Sequence, residues 1–257
     1  MSRIFRAGLG VGLVRALRQR ERQTFKIGLP RSVWKHRGGP LTVWRSHRVL
    51  TVGDHRALVE SALVEGALAC PGCDGMLAGW GHARRRLIRT LRSRVRLVLR
   101  PWRARCRGCG VTHVLLPARL LTRRADDAET IGAALELAAL GHGVRRIAWV
   151  PGRSAWTVRG WVRRARCRAG ALRAGLAGWV VALDPDPPPI AASGSAWGDA
   201  LSMLVAVHRA AVVRWAELAD RLSLWRPAAV LTDGSLLAVV PVVRAINTSR
   251  PLVMCGD

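Results

Sequence analysis

Two C-x-x-C pairs, Cys70-Pro71-Gly72-Cys73 and Cys106-Arg107-Gly108-Cys109, limit what this chain can fold into more than any other feature. Two thiolates three positions apart on a tight turn both face one ion. A second such turn on a neighbouring hairpin completes a tetrahedron with bonds of ~2.3 Å to zinc. A single pair would leave a redox site open, and cysteines in general can form disulfides or be buried without a shared role. Two pairs on either side of a basic, strand-rich segment select structural zinc. Four thiolates leave no open position for water or substrate, so the expected Zn2+ holds the fold and does no chemistry. Cys167 and Cys255 stand apart from the set. His82 and His113 lie near the pairs, but four thiolates already satisfy the ion.

The charge balance names the partner to expect. The chain carries 42 Lys and Arg against 16 Asp and Glu, a formal net charge of +26. Lys26 and Lys35 are the only lysines, so nearly all of the positive charge is guanidinium. Arginine stays charged at any physiological pH and presents a planar fork of donors that fits phosphate oxygens and the acceptor edge of guanine. A GC-rich genome explains the choice of arginine over lysine but not the missing acids. No acidic residue occurs between Asp74 and Asp126, nor between Glu136 and Asp184, while arginines crowd both intervals. Charge concentrated in this way points to a nucleic-acid surface. Even the apolar stretch from Ala200 to Ala216 is interrupted by His208, Arg209 and Arg214, so no membrane span is expected. Met1 to Arg22 lacks a small-residue cleavage site, so no secretory signal is expected either, and the expected location is cytoplasmic, on the nucleoid.

Periodicity and turn residues suggest an α+β chain, mainly α, in five parts. Residues 1–48 read as a basic, weakly ordered arm. Residues 49–120 read as a helix over Asp54 to Leu68, with Leu58, Ala62, Leu63 and Ala67 on its inner face, followed by the zinc ribbon. Within the ribbon, Arg94 to Arg100 alternates as a half-buried strand does, and His113 to Leu116 ends at Pro117. Residues 121–175 read as a helix-turn-helix domain, its first helix capped by Asp126 or Asp127 and ended by Gly141 and Gly143. Residues 176–196 read as a linker, because the prolines of Asp184 to Pro189 remove donors and fix φ. Residues 197–257 read as a helical terminal unit in which Leu201, Leu204, Val205, Val212, Trp215 and Leu218 recur at helical spacing.

Val144 to Arg168 carries the motif itself. Ile147 and small Ala148 lie on a short helix, Pro151-Gly152-Arg153 forms a turn, and Ser154 caps a second helix whose Val158 and Trp161 face inward. Pro151 and the bulk of Trp149 are discordant with a standard turn. This arrangement leaves Arg153, Ser154, Trp156, Thr157, Arg159 and Arg163 as candidate contacts to bases or phosphates of double-stranded DNA. Arg84, Arg85 and Arg86, with Arg89, Arg92, Arg94, Arg96, Arg100, Arg103 and Arg105, are candidate backbone contacts, which give affinity without reading sequence. A helix pair that is merely basic and solvated would show the same pattern. An RNA-binding ribbon that stacks bases on Trp80 or Trp102 would also account for the charge.

Cys70-Pro-Gly-Cys73, Gly79-Trp80-Gly81-His82, Cys106-Arg-Gly-Cys109-Gly110-Val-Thr112-His113, Leu115-Leu116-Pro117 and Thr157-Val158-Arg159-Gly160-Trp161 together carry a resemblance. Over about residues 49 to 240 the chain resembles an uncharacterised actinobacterial family of zinc-ribbon plus helix-turn-helix proteins. That family is similar in layout to the DNA-binding N-terminal region of insertion-sequence transposases. Asp74 stands where such ribbons usually have glycine. A transposase needs three acids converging on two metal ions in a sheet-based catalytic region. The candidates here are Asp184, Asp186, Asp199, Glu217, Asp220 and Asp233, two of which lie in the proline run. The expectation is therefore a DNA binder without a catalytic domain, or the binding part of a split transposase, with a homodimer through the C-terminal helices as a further possibility.

Overall fold

In a computed structural model, the structure describes residues 49–91, 96–216 and 223–238. The expected arm at 1–48, Arg92, Arg94, Leu218 and the last residues of the terminal unit lie outside the described residues. The described residues all belong to one compact unit.

Short, alternating segments form two sheets. Strands β1 (Val49–Val52), β2 (Leu77–His82), β5 (Trp102–Cys106) and β6 (Thr112–Pro117) assemble in the order β1-β6-β5-β2, and β3 (Arg86–Ile88) pairs antiparallel with β4 (Leu97–Leu99). The β5–β6 and β2–β5 pairs are antiparallel, whereas β1 runs parallel to β6. Alternation divides the larger sheet into two faces. Trp102, Ala104, Cys106, His113 and Leu115 lie toward a small core, where they meet Leu50, Val52, Leu68, Cys70 and Leu77. Helix α1 (Arg56–Val64) closes that core with Val59. The inner face was expected to include Leu58, but Leu58 is exposed and Val59 is buried. Ala62 and Leu63 do pack inward. Val59 joins the cluster of Leu50, Val52 and Leu77 in place of Leu58.

Six further described helices build the larger core: α2 (Ala128–Ala139), α3 (Val144–Trp149), α4 (Ala155–Arg166), α5 (Ala169–Leu183), α6 (Ala196–Arg214) and α7 (Trp225–Leu231). Asp127 caps α2 by accepting from the Thr130 amide at 2.9 Å. Ile131, Ala134 and Leu135 of α2 meet Ile147 and Ala148 of α3 and Val158, Trp161 and Val162 of α4. The Trp225 indole lies against Gly132, where an added Cβ would collide with the ring, and donates from Nε1 to Glu136 Oε1 at 2.6 Å.

Two boundaries differ from the sequence reading. Residues 176–183 belong to α5, so the expected linker shrinks to the proline-bearing loop before α6. The prolines interrupt the helix without separating domains, because Leu172, Leu176 and Trp179 of α5 and Trp197, Ala200 and Leu204 of α6 share one core. The expected independent terminal unit is likewise part of that core. Trp197 donates to the Leu135 carbonyl at 3.0 Å, Leu204 and Val207 are buried, and Val205 and Val213 are exposed. Helix α6 is the one described helix long and apolar enough to cross a membrane, with a mean hydropathy of 1.2, and its buried residues pack into this core.

The sheets and helices are joined by buried charge. Asp126 lies just before α2 and accepts from Arg89 Nη2 at 2.7 Å and Arg153 Nε at 2.5 Å. Arg89 follows β3, and Arg153 lies in the turn before α4. One carboxylate therefore ties the small sheet to the helix whose start Arg153 precedes. Removing one member of a buried ion pair leaves the others uncompensated. Asp126→Ala is expected to cost roughly 3 kcal/mol of unfolding free energy, read as a lower urea midpoint. An unchanged midpoint would show that the arginines find equivalent partners elsewhere.

Candidate metal centre and basic surfaces

The two cysteine pairs occupy equivalent turns. In the first, the Asp74 amide donates to the Cys70 carbonyl at 3.0 Å, and in the second the Gly110 amide donates to the Cys106 carbonyl at 3.0 Å. Asp74 and Gly110 both have positive φ, +58° and +71°. The residue after each pair must therefore be left-handed. Aspartate tolerates that conformation better than most residues with a Cβ, which explains how Asp74 occupies a position that favours glycine. In each pair the first cysteine is buried and the second is exposed.

These turns bring all four sulfurs within 4.8 Å of one another, close enough to hold a metal ion. Cys73 and Cys106 sulfurs are 3.4 Å apart and Cys70 and Cys109 sulfurs 3.7 Å apart. A tetrahedron with metal–sulfur bonds of ~2.3 Å has edges of about 3.8 Å, so the spacing fits coordination. All four are free cysteines, and a disulfide needs an S–S distance of ~2.05 Å. Backbone amides also face the sulfurs: Gly72 N lies 3.4 Å from Cys70 Sγ, and Gly108 N and Cys109 N lie 3.3 and 3.4 Å from Cys106 Sγ. The Cys109 amide is the main reason the Cys106 thiol falls to about 6; burial opposes this, and the Cys73 thiol and Gly108 amide assist it. Burial instead pushes the Cys70 thiol up, against the pull of the Gly72 amide. Among the described residues, these cysteines are the one group of three or more Cys, His, Asp or Glu placed to hold a metal.

Two residues beside the sulfurs were not assigned a role from sequence. His113 is buried on the core face of β6 with Nε2 3.4 Å from Cys70 Sγ, so it touches a sulfur from outside the four-thiol set. Gly75 lies so close that an added Cβ would stand 2.9 Å from Cys106 Sγ and 3.2 Å from Cys73 Sγ. The signal for Gly75 was its position two residues past the first pair, which spacing rules for the ligands themselves do not weigh.

The expected DNA-facing residues separate into engaged and exposed groups. The turn before α4 forms as expected, with Gly152 at φ +59° and the Arg153 amide donating to the Ala148 carbonyl at 3.1 Å. Pro151 is buried in it without conflict, because Trp149 points outward and is 86% exposed. Arg153 is turned inward: besides Asp126, its Nη1 donates to the Pro151 carbonyl at 2.8 Å. Its Nε and Nη1 are thus engaged by the chain itself, with 15% of the side chain exposed. Ser154 caps α4 by accepting from the Thr157 amide at 3.3 Å, and the two hydroxyls hydrogen-bond at 2.9 Å. Trp156 is 80% exposed, with the Arg159 guanidinium 5.3 Å from its ring centre. Arg159 and Arg163 are exposed on the face opposite Val158, Trp161, Val162 and Ala165.

The arginines between the cysteine pairs separate in the same way. Arg84 and Arg85 are exposed. Arg86 is half-buried and donates from Nη2 to the Arg124 carbonyl at 2.7 Å, and burial lowers its pKa. Its expected role as a phosphate contact gives way to this structural one. Arg89 serves Asp126. Arg105 donates from Nε to the Gly110 carbonyl and lies over the Trp80 ring, 4.9 Å from its centre. Of the two tryptophans weighed for base stacking, Trp102 is covered by His82 at 3.8 Å and Arg56 at 5.2 Å, whereas Trp80 is 52% exposed.

Residues 70–146 match a family model described as a domain of unknown function (DUF6431). The match starts at the first of the four cysteines and ends inside α3, so it contains the candidate metal centre and α2. It is narrower than the stretch over which the motifs carried a resemblance, and it supports an uncharacterised domain. No curated protein and no solved structure matches the chain.

Cys106→Ser is expected to remove bound metal from the purified protein and abolish the cooperative unfolding of the sheet, while Cys167→Ser leaves both unchanged. Metal content by atomic absorption beside a thermal melt checks this; full metal loading of the serine variant would rule the site out. Asp74→Gly is expected to keep the melting temperature and Asp74→Val to lower it, because a β-branched residue resists positive φ. Equal melting of the two variants would contradict the left-handed turn.

Proposed function

We propose that this protein is a zinc-stabilised binder of double-stranded DNA, of transcription-regulator or transposase-related type and without a catalytic role. In this reading Cys70, Cys73, Cys106 and Cys109 hold a structural Zn2+ in a zinc ribbon, and α3 and α4 act as a helix-turn-helix. The four-thiolate donor set suits zinc and closes its coordination shell. The observation that carries the DNA reading is the outer face of α4. It begins at a capped N-terminus, presents Trp156, Arg159 and Arg163 to solvent, and keeps its apolar face in the core. Helix α3 adds exposed Arg145, Arg146 and Trp149 beside it.

A recognition helix enters the major groove with its N-terminal residues at base edges. Arg159 has the reach and donor geometry for guanine, and its position over the Trp156 ring restricts the directions its guanidinium can take. Arg163, one turn later, and Arg85 on the ribbon supply phosphate contacts that set register. Arg153 positions the turn through Asp126 and does not contact bases. Association through the exposed Val205 and Val213 of α6 would match a two-fold operator, but the reading does not depend on it.

Arg159→Ala is expected to weaken binding to a preferred duplex about ten-fold or more, at ~1–3 kcal/mol per bidentate base contact, with a smaller effect on random duplex. Competition binding of the two duplexes measures it. Equal losses on both would make Arg159 a backbone contact, and no loss on either would remove α4 from the interface.

A further inference from the structure

The ribbon's outer sheet face carries features that duplex binding by α4 does not use. Alternation puts Arg103 and Arg105 of β5, and Thr112 and Val114 of β6, on the side opposite Ala104, Cys106, His113 and Leu115. The register pairs Arg103 with Val114 and Arg105 with Thr112, so cationic and small uncharged side chains lie side by side. Ala83 and Arg84, which follow β2, rise beside them. Arg103, Thr112 and Val114 with Ala83, Arg84 and Val111 line an open groove of about 630 Å3. That volume lies within the ~300–1,000 Å3 range of ligand clefts. Among the described residues no acid lines the groove, and the sequence has none from 75 to 125.

An aromatic ring outside the lining is connected to it through Arg105. Arg105 links it to the lining, donating to the carbonyl of Gly110 while its guanidinium lies over the half-exposed Trp80 indole. Half of the Trp80 surface remains open to solvent. An exposed indole beside a groove lined with guanidinium groups matches the two requirements of single-stranded nucleic acid: a flat surface for an unstacked base and a cationic track for the phosphates. A duplex cannot use the indole, because its bases are already stacked. An acidic peptide would use the arginines and leave the indole without a role.

We propose that the groove lined by Arg84 and Arg103, with Trp80 reached through Arg105, binds an unpaired stretch of polynucleotide, with a base stacked on Trp80 and phosphates at Arg84 and Arg103. This second site stands on its own, whether or not α4 reads duplex DNA. A protein with both surfaces engages a duplex next to an opened or single-stranded segment.

The test is fluorescence anisotropy of the full chain with labelled short oligothymidylate and oligouridylate, titrated at several salt concentrations. Wild type, Trp80→Ala, Trp80→Phe, Arg84→Ala/Arg103→Ala and Arg159→Ala are compared after metal content and circular dichroism confirm that each is folded. Trp80→Ala is expected to weaken single-strand binding about ten-fold with little change in salt dependence, since one base stack is lost. Trp80→Phe keeps most of the affinity, which separates stacking from a folding defect. The double arginine variant is expected to reduce the salt slope by about 1.4, at ~0.7 per phosphate on a single strand. Tighter binding of oligothymidylate assigns the site to DNA, and tighter binding of oligouridylate assigns it to RNA; both support a single-strand site. Wild-type affinity in Trp80→Ala would overturn the proposal, as would equal competition by polyglutamate. If Arg159→Ala lost single-strand and duplex binding together, one surface would account for both and the groove would have no separate role. Loss of duplex binding alone in that variant supports two surfaces.

Discussion

Four sulfurs within 4.8 Å of one another repel once they ionise, and a cation between them removes that repulsion. A cation held there would act on the four-stranded sheet. One cysteine pair precedes β2 and the other joins β5 to β6, so an ion shared by the four sulfurs would crosslink segments more than thirty residues apart. The hydrophobic cluster beneath them is small and counts two of the cysteines among its buried members. A core of that size needs a staple to fold cooperatively. The helical core, with four buried tryptophans among its members, has no such need.

Asp126 ties the two-stranded sheet, whose Ile88 packs against Leu116 of β6, to the helices. Arg89 approaches this carboxylate from the strand side and Arg153 from the turn before α4. The direction in which α4 leaves its capped N-terminus is therefore tied to β3, and through Ile88 and Leu116 to the four-stranded sheet beside the cysteines. In a protein of net charge +26, such pairing also decides which arginines remain available to a polyanion. Arg86, Arg89 and Arg153 are held by the chain's own carbonyls and carboxylate, while Arg84, Arg85, Arg159 and Arg163 reach solvent.

Local signals were legible in the sequence where the physics is local. The cysteine spacing, the Asp127 and Ser154 caps, the left-handed turn at Gly152 and the inward Val158 and Trp161 each depend on residues within a few positions. Errors arose where a partner lies far along the chain. The carboxylate that Arg153 meets is 27 residues away, and Val59 rather than Leu58 of α1 joins a core that also holds Leu77, Ala104 and Leu115. Prolines after Asp184 marked a break correctly, but Ala- and Gly-rich α5 carries little helical signal of its own and is held by packing against α6.

The central claim is that an ordered metal-held sheet is required for sequence-specific duplex recognition by α4. Selection of the full chain against a randomised duplex library, with and without a zinc chelator and at low and high salt, tests it most directly. The account predicts enrichment of one motif that persists at the higher salt and disappears on chelation. Salt-sensitive binding with no enriched motif would contradict it by showing a general polyanion surface, and a motif that survives chelation would contradict the link between the cysteine centre and α4.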